Sequence, residues 1–299
     1  MASPTTSSSG NTTTTLPQQY SVSNSTPSGA SSFVGGVKRV DVGNVQIGFR
    51  QFGSGKPMLL IPDRNFSMAD WGVDFLTALS QNYSVTEIDL PGVGYSSYSP
   101  SQPMTATVLG NYIANFVNDI GLKSPYILGF GYGGSIALQI AETDRNLAKG
   151  LILVGSTPGG NGSTPPTSPY GQLLSDGSAT SVQLMQALFP QGQSLGLNNY
   201  ISSVEGFIPE PIPLSTIQMQ AQGASTLATD NSIQSNLSKI SVPCLVLFGE
   251  ADRDSTAADA NLLASGLSVV TKVVFSNDGH GLLFQDTTKF LTLLSNFIS

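Results

Sequence analysis

Three parts of this chain could do chemistry together: a histidine, a carboxylate and a turn made mostly of glycine. The chain has one histidine, His280, set between Gly279 and Gly281, and the turn Gly249-Glu250-Ala251-Asp252 precedes it. A carboxylate that orients an imidazole makes it a general base near neutral pH. Asp252 is the first candidate for that carboxylate and Asp254 the second. The glycine turn, Leu128-Gly129-Phe130-Gly131-Tyr132-Gly133-Gly134-Ser135, follows the apolar run Tyr126-Ile127-Leu128 and leads into Ile136-Ala137-Leu138-Gln139-Ile140-Ala141. It reads as a tight strand-to-helix turn. Two catalytic frameworks use one. In the elbow Gly-x-Ser-x-Gly the turn lifts a nucleophile above a sheet. In the fingerprint Gly-x-Gly-x-x-Gly it cradles a dinucleotide, and Gly129, Gly131 and Gly134 have that spacing.

The elements that must position these residues follow from periodicity. Lys38 to Val42 and Val45 to Gln51 alternate and meet at Gly43-Asn44, a hairpin signal. Met58 to Ile61, Tyr83 to Ile88, Tyr126 to Leu128, Gly150 to Val154, Cys244 to Phe248 and Val269 to Phe275 are apolar runs of strand length. Between them, helices are expected at Trp71 to Leu79, Thr105 to Ile120, Ile136 to about Thr143, Thr256 to about Ala264 and Thr287 to Ile298. In the second of these Val108, Leu109, Tyr112, Ile113, Phe116, Val117 and Ile120 form one stripe. Strands alternating with helices, most strands apolar on both faces, mean a mostly parallel sheet covered on both sides.

The alternation stops from residue 156 to 239, which reads as a helical insertion carrying Met185, Leu188, Phe189, Phe207 and Met219. The first 32 residues hold 17 Ser or Thr and no apolar period, so they are expected to be a disordered tail. The division is therefore 1–32 tail, 33–155 core, 156–239 cap and 240–299 core.

Composition narrows the function. Only 10% of the 299 residues are charged, the net charge is −7, and Lys and Arg total 12, too few and too scattered to track a phosphate backbone. No nucleic-acid partner is expected. No apolar run is long enough to span a bilayer. A single cysteine, Cys244, in an apolar strand makes a buried core thiol, and one histidine leaves no His-rich metal site. No cofactor is expected; the partner is a small molecule. Sequons at Asn11, Asn24, Asn65, Asn82, Asn161 and Asn236 favour an exported protein, although Ser and Thr are frequent enough for chance to supply most of them.

Taken in order, these motifs resemble the α/β-hydrolase family, with a cap inserted after the sixth strand. The resemblance covers Val37 to Ser299. Asp89-Leu90-Pro91-Gly92-Val93-Gly94-Tyr95-Ser96 resembles its loop after the fourth strand, Gly129 to Gly134 its elbow, Gly249 to Asp252 its acid turn and Gly279-His280-Gly281 its histidine turn. The resemblance implies His280 as base, Asp252 as the acid that orients it, and the backbone N–H groups of Tyr132 and Arg64 as the oxyanion donors. The dinucleotide reading is disfavoured, because the next strand ends Leu153-Val154-Gly155-Ser156-Thr157 without the acidic residue that a ribose needs.

Two departures matter. The nucleophile position is Gly131, which has nothing to attack with, and the loop that should be glycine-rich reads Pro62-Asp63-Arg64-Asn65-Phe66. Loss of the serine from such a triad lowers turnover about 10⁶-fold. An acidic Asp63 at the oxyanion pocket would repel developing negative charge unless it is protonated or turned away. Ser67 and Ser96 are placed at the pocket mouth with Asp63, and Ser135 inside the helix. The expectation is a degenerate site that binds a small apolar ligand with little or no serine hydrolase activity. The alternative is an active hydrolase of an ester-like molecule, with water in the space vacated at Gly131 activated by His280 and Asp252.

Overall fold

Apolar runs with no polar alternation need cover on two sides, and the sheet supplies it. The computed structural model describes residues 36–98, 103–165, 168–204 and 211–299; the expected tail at 1–32 and Phe207 lie outside them. Strands β1 (Lys38–Val42), β2 (Val45–Gly53), β3 (Lys56–Ile61), β4 (Tyr83–Ile88), β5 (Tyr126–Phe130), β6 (Gly150–Val154), β7 (Cys244–Gly249) and β8 (Val270–Phe275) form one sheet. Their order is β1-β2-β4-β3-β5-β6-β7-β8. β2 is antiparallel to both its neighbours, and β3 to β8 are parallel. This is an α/β-hydrolase fold.

Successive side chains along each central strand enter opposite cores. Leu59, Ile61, Ile127, Leu151 and Leu153 face one apolar cluster, while Met58, Leu60, Leu128, Phe130, Ile152 and Val154 face the other. The first cluster is closed by α2 (Ala106–Asp119), α3 (Tyr132–Thr143) and the helix Ala257–Gly266, the second by α1 (Val73–Ser80) and the closing helix Thr287–Ile298. Thr105 starts α2 by accepting from the Val108 N–H, as its hydroxyl side chain predicts for a helix N-terminus.

Two expected boundaries shift. Trp71 to Leu79 is not one helix: a short 3-10 turn, Met68–Trp71, is separated from α1 by Gly72, whose φ of 72° ends the first segment. Trp71, Phe75 and Leu79 are nevertheless all buried. β5 extends two residues beyond Leu128, because Gly129 and Phe130 stay in register with Leu153 and Val154.

Between β6 and β7 the chain forms α4 (Pro169–Ser175), α5 (Ser181–Ala187), α6 (Ser194–Val204), α7 (Leu214–Thr229) and α8 (Ser232–Asn236). Met185, Leu188 and Phe189 join the second cluster, and Met219 packs on the first. These helices also hold the loop after β3: the Asn65 N–H donates to Gln220 Oε1 on α7 at 2.9 Å, and Asn65 Nδ2 donates to the Leu174 carbonyl on α4. Asn65 is 8% exposed, so its sequon is closed in the folded chain. Among the described residues no helix is long and apolar enough to cross a membrane.

Candidate functional site

The site lies at the C-terminal ends of β3, β5, β7 and β8. Asp252 follows β7 in a turn that occupies both of its oxygens. Its Oδ1 accepts from the Asp254 and Ser255 N–H groups at 2.8 and 3.1 Å, and its Oδ2 lies 2.8 Å from His280 Nδ1. Asp254 is used elsewhere, accepting from Ser168 Oγ at 2.7 Å. His280 is 2% exposed, its ring lies 4.8 Å from that of Phe130 and 4.9 Å from that of Tyr170, and the Gly281 N–H donates to the Leu188 carbonyl at 2.9 Å. Gly155 makes room for the pair: with φ of 52°, a Cβ there would meet His280 Cε1 at 2.8 Å and Asp252 Oδ2 at 3.2 Å.

At the elbow, Gly131 links β5 to α3 with φ 53° and ψ −121°, a conformation that strains any residue with a side chain. The space a serine would take is filled. Asp63, on the loop after β3, points its carboxylate there, so that a Cβ on Gly131 would fall 2.2 Å from Asp63 Cγ. Asp63 Oδ1 accepts from the backbone N–H groups of both Arg64 and Tyr132, each at 2.7 Å. Its Oδ2 stands 3.4 Å from His280 Nε2, and Tyr170 Oη donates to it at 3.4 Å. Thus Arg64 and Tyr132 present their N–H groups to one point, and that point is a carboxylate oxygen of the protein itself.

Asp63, expected to repel charge at the oxyanion pocket unless protonated or turned away, instead sits on the two N–H groups itself, and it leaves no vacated space for the water expected at the serine position. The N-terminus of α3 explains why the charge is tolerated, since backbone N–H groups and the helix dipole favour an anion there. Burial pushes Asp63 upward, but His280, the Arg64 guanidinium and the Tyr132 N–H more than offset it and hold the carboxyl below its usual range. Burial pushes His280 down; Asp252 first and Asp63 second reverse that and raise it well above the ordinary imidazole value. The resting site is therefore an imidazolium between two carboxylates. It makes a hydrogen bond to Asp252 and an ion-pair contact with Asp63 that is not aligned for a hydrogen bond.

The remaining serines lie elsewhere. Ser67 caps the 3-10 turn and bonds Asp70; Ser96 Oγ donates to the Asp89 carbonyl and accepts from the Gly48 N–H; neither lines a cavity described here. Ser135 is buried in α3 and donates to the Thr157 carbonyl. Asp89 ties the loops after β3 and β4 together, accepting from the Met68 and Tyr95 N–H groups at 2.7 Å each.

Two cavities flank the row Asp63–His280–Asp252. A small one of about 40 Å³ is lined by Arg64, Gly131, Gly155, Thr157, Leu227 and Asp254; a larger one of about 320 Å³ by Tyr170, Ala187, Phe189, Asp252, Gly279 and His280. Arg64 is 4% exposed, and its Nη1 has no hydrogen-bond partner among the described residues. Tyr170 escaped the sequence reading, since nothing in its neighbourhood marks it out. Asp63 was named, but as a neighbour of the pocket rather than its centre. The signal that could have placed it was the pairing of a missing side chain at Gly131 with an added carboxylate on the loop that faces it.

A profile of the alpha/beta hydrolase family matches residues 58–291. A pimeloyl-(acyl-carrier protein) methyl ester esterase of Aliivibrio salmonicida is 25% identical, over 82% of this chain and 93% of its own length. An alpha/beta hydrolase fold protein from Chitinophaga pinensis superposes with a TM-score of 0.75 at 16% identity, covering 88% of this chain and 97% of the other. A thermophilic esterase from Thermogutta terrifontis does so with 0.72 at 20%, covering 88% and 98%.

Proposed function

Because the chain belongs to the alpha/beta hydrolase family, we propose that it takes a small, largely apolar molecule between the sheet and the inserted helices, which act as a cap, and that it lacks serine-type ester hydrolysis. The observation that carries this reading is the bond pair from the Arg64 and Tyr132 N–H groups to Asp63 Oδ1. Acyl transfer needs a nucleophile and free donors for the oxyanion. Gly131 supplies no nucleophile, and Asp63 occupies the donors.

The test is hydrolysis of p-nitrophenyl acetate. The unaltered chain should show none above background, and Gly131→Ser alone should gain none, because Asp63 holds the space its side chain needs. Gly131→Ser combined with Asp63→Gly frees both the space and the donors and should gain turnover that His280→Ala removes. Ester turnover by the unaltered chain that disappears in His280→Ala would overturn the reading.

A further inference from the structure

A cavity of about 490 Å³ lies between the loop after β3 and the inserted helices α5 and α7. It shares no lining residue with the two cavities that flank the Asp63–His280–Asp252 row, so the function proposed above makes no use of it. We propose that it binds a primary amine as the ammonium ion, held by Asp70 and by the side-chain oxygen of Asn65, with the apolar body of the amine against Phe66, Met185 and Ile217.

Two acceptors in its lining are left open by the fold. Asp70 is 9% exposed. Its carboxylate accepts from the Ser67 N–H at 2.7 Å and from Ser67 Oγ at 2.8 Å, and both bonds fall on Oδ2, which leaves Oδ1 to a ligand. Asn65 is fixed by two donations of its own, from its backbone N–H to Gln220 Oε1 and from its Nδ2 to the Leu174 carbonyl. Those bonds hold the amide in place, yet its Oδ1 is buried with no partner among the described residues. A buried acceptor in that state is satisfied when a donor enters beside it.

Charge selects the ligand. Among the described residues, none of those that line the cavity is Lys, Arg or His. Burial raises Asp70 to about 6, a rise that the Ser67 bonds only partly oppose, so the carboxylate is charged at neutral pH. A cation in the cavity offsets the cost of burying that charge. At the exposed mouth Asp176 accepts from the Ser178 N–H and Oγ, bonds that hold it below its usual range, so it is a second anion on the path inward. An anionic or carbonyl ligand would meet only acceptors. A hard metal ion needs more oxygens than these, whereas an ammonium carries three N–H donors. Phe66 and Met185 are buried and Ile217 is half-buried, an apolar wall for the rest of the molecule, and the volume is that of a small-molecule pocket.

The full chain is titrated calorimetrically at neutral pH with benzylamine, benzyl alcohol and benzoate. Benzylamine should bind, and the alcohol and the acid should bind at least about 10-fold more weakly. Asp70→Asn should weaken benzylamine about 10- to 100-fold, and Ala179→Phe, which fills the cavity, should abolish binding; circular dichroism shows that each variant is folded. Photolysis of 4-azidobenzylamine on the unaltered protein should label residues 66–70, 184–185 or 212–217, a measurement that needs no variant. Equal affinity for amine and alcohol, unchanged affinity in folded Asp70→Asn, label on the residues beside His280, or neither heat nor label from folded protein would overturn the proposal. Each of those results leaves the ester test of the preceding reading standing.

Discussion

Asp63 and Gly131 exclude one another's side chains: the Cβ that any other residue would bring to position 131 lies 2.2 Å from Asp63 Cγ and 2.3 Å from its Oδ1. The empty elbow and the occupied oxyanion hole are one feature, built from two loops. Gly131→Ala should therefore cost stability in two ways, through a backbone conformation worth about 1–3 kcal/mol to a non-glycine residue and through displacement of Asp63. In an Asp63→Gly background only the first cost remains. Urea unfolding of the four proteins should give a coupling of at least about 1 kcal/mol, and additive losses would show that the carboxylate is free to move aside.

The ion pair predicts a stability window. Asp63 is held below its ordinary 3.8, so its contribution is present above that value and fades as the pH falls through its folded value. His280 is held well above 6.5, so its contribution is full below that value and fades as the pH rises through its folded value. The difference in unfolding free energy between the unaltered chain and His280→Gln should be largest between about pH 4 and 6.5 and shrink on both sides. A difference that is flat from pH 4 to 10 contradicts the charged assignment.

A second titration sits beneath β2 and β4. Burial, opposed by the nearby Arg50 and aided by Asp89, raises Glu87 from 4.5 to about 8. Over that interval the folded chain holds a proton that the unfolded chain has released, so stability falls as the pH rises from about 5 to 8. Glu87→Gln should flatten that slope in thermal melts taken across the range. An unchanged slope would assign it to other groups.

Asp252 and Asp254 are two residues apart and differ in what they touch. Asp252→Asn should lower the His280 titration midpoint seen by NMR, because it removes the anion 2.8 Å from Nδ1. Asp254→Asn replaces a carboxylate bonded to Ser168 and should move the midpoint less. The reverse ranking would exchange their roles.

Much of this architecture was legible in the sequence because it depends on local regularities. Apolar runs such as Leu151-Ile152-Leu153-Val154 have strand length and, alternating with helices, read as strands covered on both faces, and a hydroxyl side chain at Thr105 before an amphipathic stripe begins a helix. The order of the glycine turn, Asp252 and His280 determined the chain's resemblance, and with it which loops would meet. The boundary at Gly72 was missed because one glycine inside a helical stripe is ambiguous without its φ.

What Asp63 does was decided only by the tertiary structure. The sequence placed an acid on a loop and read it as a repulsive neighbour of the oxyanion donors. Its bond to the Tyr132 N–H spans 69 residues, and the direction of an aspartate side chain is set by partners that folding brings to it. Two N–H groups, the N-terminus of α3 and an imidazolium converge on one carboxylate, and together they outweigh the cost of burying its charge. The composition of the loop carries the charge; only the packing of β3 against β5 gives it that place.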